Sequence, residues 1–299
     1  MNGFLLVDKP KGWTSQDVVA HLKRKLGLKK CGHSGTLDPN TTGLLVVACD
    51  EATKLLKLIN EHDKTYITTI VFGMNSNTLD TSGEITENYS MNVKQEDLDS
   101  ALLRLKEETK QIPPMVSAIK INGKRLYQYE RKNQVIEVPA RDIKIHDLKQ
   151  INELRYVDEH YEVDILIKCS KGFYVRSFAR DLGEILGGKA IMKELRRIES
   201  GNFNLINSTV LSKITNDNII PITDIFTDFG CLDVNDYIAH LAKNGVVFDE
   251  RQIITDKPFY VRHNGNIIAI YEVIDVNKYK PLIIFKEKRW YFGNNLYKK

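Results

Sequence analysis

Residues 44–49 read LLVVAC, an unbroken apolar run. Successive side chains of a strand point to opposite faces, so a strand that is apolar throughout is buried on both sides. The loop GHSGTLDPNTTG (32–43) leads into it, with three glycines, one imidazole (His33) and one carboxylate (Asp38). That loop has neither a helical nor a strand period. It reads as a rigid, glycine-shaped element anchored by a buried strand.

Around this anchor the elements are mixed. FLLV (4–7) is a short strand ending in DKPKGW, and Thr14 or Ser15 caps a helix with Val18, Val19, Leu22 and Leu26 on one face. A helix over 51–60 turns Leu55, Leu56 and Ile59 inward, TYITTIVFG (65–73) alternates as a strand, and Leu98, Leu102 and Leu105 define another helix. Asn122-Gly123 suits a type I′ turn, which makes 119–129 a hairpin. Strands are expected at 141–149 and 161–169, and Phe178, Leu182, Ile185 and Leu186 line a helix stopped by Gly187-Gly188. FYVR (173–176) reads as extended, so Tyr174 and Arg176 would point to one side. Without strict βαβα alternation, the expected class is α+β with a mixed, largely antiparallel sheet. From about residue 230 the texture shifts to short strands (FYVRHNG, NIIAIYEVI, KPLIIFKEKRWYF). The expected division is 1–230 and a small, mostly β unit over 231–299.

No apolar run approaches the ~20 residues needed to cross a bilayer, and the opening MNGFLLVDKPKG lacks the apolar core and cleavage site of a signal peptide. The four cysteines are scattered without a CxxC pair, which suggests neither a disulfide framework nor a zinc ribbon. A cytoplasmic protein without membrane attachment or obligate protein partner, and monomeric, is expected. The net charge of +4 names no partner, but its distribution is uneven. Residues 1–34 carry seven Lys/Arg against two acids, and residues 118–132 carry Lys120, Lys124, Arg125, Arg131 and Lys132 against Glu130. Lys189, Lys193, Arg196 and Arg197 form a third basic group, whereas 80–108 holds eight acids and three bases. Such segregation suits a polyanion on one side of the molecule, or simply a solvated charged surface.

The loop itself fits few chemistries. A Walker loop needs Gly-Lys-Ser/Thr before a helix, and this one ends in Thr-Gly before a strand. The seven histidines show no metal-ligand spacing, and no GxSxG elbow accompanies a Ser-His-Asp reading. No metal or cofactor is expected. Asp38-Pro39 either starts a turn or presents a nucleophilic carboxylate, which can attack a sugar carbon or an electrophilic ring carbon unaided. A glycosidase would need a second acid, for which Asp80 is the candidate.

GHSGTLDPNTTG resembles the catalytic loop of the TruB family of tRNA pseudouridine synthases, with Asp38 at the family's catalytic aspartate. DKPKGWTS (8–15), KTY (64–66), IPPMVSAIKINGKRLYQYER (112–131), CSKGFYVRSFARDLG (169–183) and ELRRIESG (194–201) resemble further motifs of that family in order. The loop departs at Thr41, where Ala is usual, and Ser76 and Asn77 replace Thr and Asp, while Asp80 matches.

The resemblance implies isomerisation of uridine to pseudouridine in tRNA, at uridine 55 of the TΨC stem-loop, without cofactor or metal. It implies Asp38 as nucleophile, Arg176 as the cation orienting it, and Tyr66 stacking on a flipped base. Tyr174 and Leu195 would complete the pocket, His33 would insert into the RNA loop, and Asp80 would contact RNA or the pocket. An insertion at about 112–140 would grip RNA through Lys120, Lys124 and Arg125, with Tyr127 and Tyr129 as aromatic partners. The C-terminal unit would be PUA-like. An RNA-folding helper without chemistry stands as the alternative from a different class.

Overall fold

The computed structural model describes residues 2–60, 62–132, 134 and 136–285. Its first strand, β1 (Gly3–Lys9), is followed by helix α1 (Ser15–Lys25), then β2 (Cys31–Ser34), β3 (Thr42–Cys49) and β4 (Lys64–Phe72). Helix α2 (Gln95–Lys106), strands β5 (Ile145–Gln150) and β6 (His160–Cys169), helix α3 (Val175–Ile185), and strands β7 (Ala190–Ser200) and β8 (Thr209–Val210) complete the first layer system. The main sheet runs β5-β6-β4-β7-β3-β1-β8, with β2 added beside β3. Its pairings are antiparallel except β7 with β3 and β1 with β8, a mixed and largely antiparallel sheet as expected.

The LLVVAC run is covered on both faces, and its residues divide by parity. Leu45, Val47 and Cys49 join Val18, Val19 and Leu22 of α1 in one cluster. Leu44, Val46 and Ala48 join Phe4 and Leu6 in another, which also takes in Tyr260, Ile270, Ile283 and Phe285. Burying each such Leu or Val contributes roughly 1.5–3 kcal/mol. A third cluster packs α2 and α3 over β4, β6 and β7 through Leu98, Leu102, Phe178, Leu182, Ile70, Ile165 and Met192.

Helix α1 starts where the capping signal placed it. The Thr14 side chain accepts from the Asp17 amide at 3.0 Å, and the Thr14 amide donates to the Asp17 carboxylate at 3.0 Å. Several boundaries differ from expectation. The 51–60 helix begins as a 3-10 turn (Asp50–Leu55) and is α-helical only over Leu56–Asn60. The 141–149 strand is two pieces, because Arg141–Asp142 leaves the main sheet to pair with Lys110–Gln111. The hairpin spans only Lys120–Arg125, with Asn122 (φ 51°) and Gly123 (φ 78°) in the left-handed region that its turn requires. Residues Leu126–Glu130 then form a helical turn anchored by fully buried Leu126, so Tyr127 and Tyr129 are not strand residues.

The C-terminal sheet is built from β9 (Gly230–Asp233), β10 (Phe248–Asp249), β11 (Phe259–His263), β12 (Asn266–Asp275) and β13 (Lys278–Ile284), in the order β9-β11-β12-β13-β10. Helix α4 (Asp236–Lys243) covers it through Ala239 and Ala242. The KPLIIFKEKRWYF strand is observed through Ile284, and its remainder from residue 286 lies outside the described residues. Among the described residues, no helix is long and apolar enough to cross a membrane.

Candidate active site

His33 and Ser34 of the opening loop belong to β2, so the irregular part is shorter than the sequence suggests and bridges β2 and β3. Leu37 is buried, its amide donates to Ser15 Oγ at 2.8 Å, and Ser15 Oγ donates back to the Leu37 carbonyl at 3.1 Å. The Pro39 carbonyl accepts from Gly12 N at 2.8 Å and from Lys9 Nζ at 3.2 Å. Asp38 lies between these two fixed residues, its own carbonyl accepting from the Thr41 amide at 3.0 Å. Its side chain nonetheless remains 44% exposed. A carboxylate held by its backbone and left open is what a reacting group needs.

Lys9 is wholly buried and also donates to the Trp13 carbonyl at 2.6 Å and the Pro10 carbonyl at 3.1 Å. Burial pushes its amine down from 10.5 to about 8, with the nearby Asp38 opposing the fall. Between those values the unfolded chain binds more protons than the folded one, so this group makes stability rise with pH there. Relative to Lys9→Met, the wild type should therefore gain roughly 1–3 kcal/mol between pH 8 and 10.5, measured by denaturant melts.

Arg176 faces this carboxylate, its Nη2 standing 3.0 Å from Asp38 Oδ2. The expectation of an extended FYVR segment is not met. Tyr174 is the N-cap of α3 and Arg176 lies in its first turn, where side chains two apart diverge around the helix. A cation at a helix N-terminus opposes the helix dipole, and here acceptors on several elements offset that cost. Arg176 Nη1 donates to the Thr78 carbonyl at 3.0 Å, Nη2 donates to the Val116 carbonyl at 3.0 Å, and Nε lies 3.8 Å from Asp80 Oδ2. Asp80 is itself buried, its Oδ1 accepting from Thr78 Oγ1 at 2.7 Å and from Ser82 N at 2.9 Å. The preceding Leu79 adopts φ 60°, a left-handed conformation costing about 1–2 kcal/mol for a branched side chain. That turn is docked onto β7, since Met192 N donates to the Leu79 carbonyl at 3.1 Å.

Tyr66 of β4 is half-buried between two core clusters and pairs across the sheet with Arg197 of β7. Burial raises its phenol above the ordinary value, against the opposing charge of Arg197. Leu195, half-buried, lies two residues before Arg197 on the same face of β7. Burial likewise raises Tyr174, whose backbone is clamped by Gln111: Tyr174 N donates to Gln111 Oε1 at 2.8 Å, and Gln111 Nε2 donates to the Tyr174 carbonyl at 3.1 Å. His33 has a buried Nδ1 with no hydrogen-bond partner among the described residues, and burial followed by the Arg197 charge lowers its pKa. The ring is therefore neutral near pH 7.

Among the described residues the cation paired with Asp38 is Arg176, and Lys120, Lys124 and Arg125 are exposed on the hairpin. Their aromatic neighbours fold back, with Lys124 Nζ 5.9 Å from the Tyr129 ring centre and Tyr129 OH donating to the Ile121 carbonyl at 3.0 Å. Among the described residues, no group of three His, Cys, Asp or Glu side chains is placed to hold a metal ion. Sequence reasoning missed Gln111, the Thr78 and Val116 carbonyls, and Arg197. In the sequence Arg197 counts with a basic group suited to a polyanion, but the structure buries it at 1% exposure, so it is not part of a charged surface.

Residues 23–175 match the family described as TruB family pseudouridylate synthase (N terminal domain). Similarity extends beyond that segment. A protein named tRNA pseudouridine synthase B from Aster yellows witches'-broom phytoplasma is 39% identical over 287 residues, covering 95% of this chain and all of the relative. Proteins of the same name from Staphylococcus saprophyticus (36%, 95% of this chain and 94% of the relative) and Bacillus subtilis (34%, 91% and 89%) are also similar. The chain belongs to the TruB family of pseudouridylate synthases. This TruB-family chain is thus an enzyme of the isomerase class, and the Asp38 loop and KTY segment both fall within the matched residues. At the level of fold it is similar to a chain of a Cbf5-Nop10-Gar1 complex, with TM-score 0.64 and 22% identity over 96% of this chain and 84% of that one.

Proposed function

We propose that the chain converts uridine 55 in the TΨC loop of tRNA to pseudouridine, with Asp38 as nucleophile on a flipped-out nucleotide. The observation that carries this reading is the half-exposed Asp38 carboxylate, 3.0 Å from buried Arg176, on a loop fixed from both flanks. The names of the relatives supply the tRNA substrate.

The reaction breaks the N1–C1′ bond, turns the uracil and joins C5 to C1′. N1 gains a proton and C5 loses one, so nothing is oxidised and no group departs. Attack at C1′, attack at C6 and a glycal route all call on the same carboxylate. Arg176 orients it, and Tyr66 stacks on the base as a neutral phenol, since burial keeps its proton on. Tyr174 and Leu195 wall the pocket, His33 enters the RNA loop as a neutral ring, and Asp80 braces Arg176. Uracil is unreachable inside a stacked loop, so the flipped nucleotide is the form that meets Asp38. Residues 1–230 form the catalytic unit and 231–299 a PUA-like RNA-binding unit, in a cytoplasmic monomer that needs no cofactor.

A glycosidase would require a free second carboxylate, but Asp80 is committed to Thr78, Ser82 and Arg176. The deciding experiment is release of tritium from tRNA labelled at uracil C5. Release with the base retained in the polymer supports the proposal, provided a transcript with cytidine at position 55 releases none. Free uracil would indicate a glycosidase, and tRNA binding without release a folding helper. The exposed hairpin supplies a second expectation. Replacing Lys120, Lys124 and Arg125 with Ala should weaken tRNA binding about tenfold or more and reduce the slope of log affinity against log salt by about 2–3. Filter binding at several salt concentrations measures both.

A further inference from the structure

Arg197 is 1% exposed, and among the described residues no carboxylate pairs with it. A guanidinium buried without a carboxylate is costly to desolvate, so a fold that keeps one has it doing something a neutral side chain would not. Its position is unusual. In the sheet register Arg197 pairs with Tyr66 of β4 on one side and with Gly43 of β3 on the other. Its guanidinium then reaches across the mouth of the loop. Nε donates to the Leu44 carbonyl at 2.8 Å, and Nη2 donates to the Gly35 carbonyl at 3.1 Å and the Ser34 carbonyl at 3.4 Å. One side chain therefore ties the residues entering the loop to the residues leaving it.

The loop glycines are shaped around the same residue. Gly35 has φ +68°, and a Cβ there would stand 3.0 Å from Arg197 Nη1. Gly43 has φ +99°, and a Cβ there would stand 2.3 Å from the Arg197 carbonyl oxygen and 2.9 Å from its nitrogen. The charge also reaches its surroundings. It holds down the proton affinities of Lys9, His33 and Lys64 and opposes the rise that burial imposes on Tyr66, which Asp38 and Cys169 push further up.

We infer that Arg197 is a positioning residue for the reaction: a buried guanidinium that gathers both ends of the Asp38 loop and faces Tyr66 across the sheet. Its hydrogen bonds go to the backbone flanking Asp38, so it acts through the loop and through Tyr66. This rests on the reading of Asp38 as nucleophile, so the test has one arm that needs no activity.

Arg197→Lys and Arg197→Met are compared with wild type as full chains. Three quantities are read: the single-turnover rate on unmodified tRNA, tRNA affinity, and amide hydrogen exchange resolved by segment. The rate should fall about 10-fold for Arg197→Lys, which keeps charge without the fork, and about 100-fold or more for Arg197→Met. Affinity should stay within about threefold for both. Exchange should quicken in residues 35–42 while β12 and α2 keep their protection. If Arg197→Met does not fold, Arg197→Lys carries the comparison. Rates within about twofold of wild type with unchanged loop exchange would overturn the inference, as would an affinity loss equal to the rate loss. A wild type that makes no pseudouridine would defeat the functional reading, while loop exchange would still decide the role of Arg197.

Discussion

Asp38→Asn should leave tRNA bound and its uridine unconverted, with the single-turnover rate reduced about 10⁴-fold or more, the scale on which removing a nucleophile acts. The substitution keeps the shape and one acceptor oxygen for Arg176, and removes the charge that the proposed attack requires. Because the side chain is 44% exposed, its ion pair is partly screened and contributes little to folding. The melting midpoint should therefore shift by less than about 1 kcal/mol equivalent, which separates lost chemistry from lost structure. Tritium release and filter binding on the same preparation check both halves. Turnover within a factor of ten of wild type would remove Asp38 from the chemistry.

Arg176→Ala is expected to have the second largest effect, and of a different kind. The rate should fall about 10²–10³-fold because Asp38 loses the cation that orients it. Stability should also fall by about 2–4 kcal/mol, since buried Asp80 loses its ion-pair partner and the Thr78 and Val116 carbonyls lose their donor. Val116 belongs to the segment leading into the hairpin, so Arg176 also ties the Asp38 loop to that segment. tRNA affinity should change by no more than about threefold. Equal losses in turnover and affinity would mark Arg176 as a binding residue alone. Arg176→Lys should fall between, because an ammonium keeps the charge and loses the fork that reaches Asp38 and the Thr78 and Val116 carbonyls together.

Where the sequence carried a physical signal, the fold followed it. The apolar LLVVAC run is a strand covered on both faces, and of the two cap candidates Thr14 is the one that starts α1. The start of α3 was hidden for the converse reason: its N-cap, Tyr174, offers no capping side chain, so FYVR reads as strand although Val175, Phe178, Ala179 and Leu182 already keep the helical period. Strand β7 was invisible as an element because bulges at Met192/Glu194 and Arg197/Glu199 break the two-residue period. Asn122-Gly123 located a turn correctly, but turn chemistry does not report strand length, and buried Leu126 coils the chain at once. The contact of Asp38 with Arg176 was expected from the family resemblance, whereas the carbonyls that hold Arg176 belong to backbone, which no side-chain pattern reveals.

One face of β3, the strand that follows the Asp38 loop, packs with α1, and the other belongs to a cluster that also takes in residues of the C-terminal sheet. Amputating residues 231–299 to gauge their grip on RNA would also remove Tyr260, Ile270, Ile283 and Phe285 from the cluster that buries Leu44, Val46 and Ala48. A truncated enzyme that turns over slowly would then be reporting a loosened core beside the Asp38 loop as much as a missing handhold, and only point changes on the outer face of that sheet can tell the two apart.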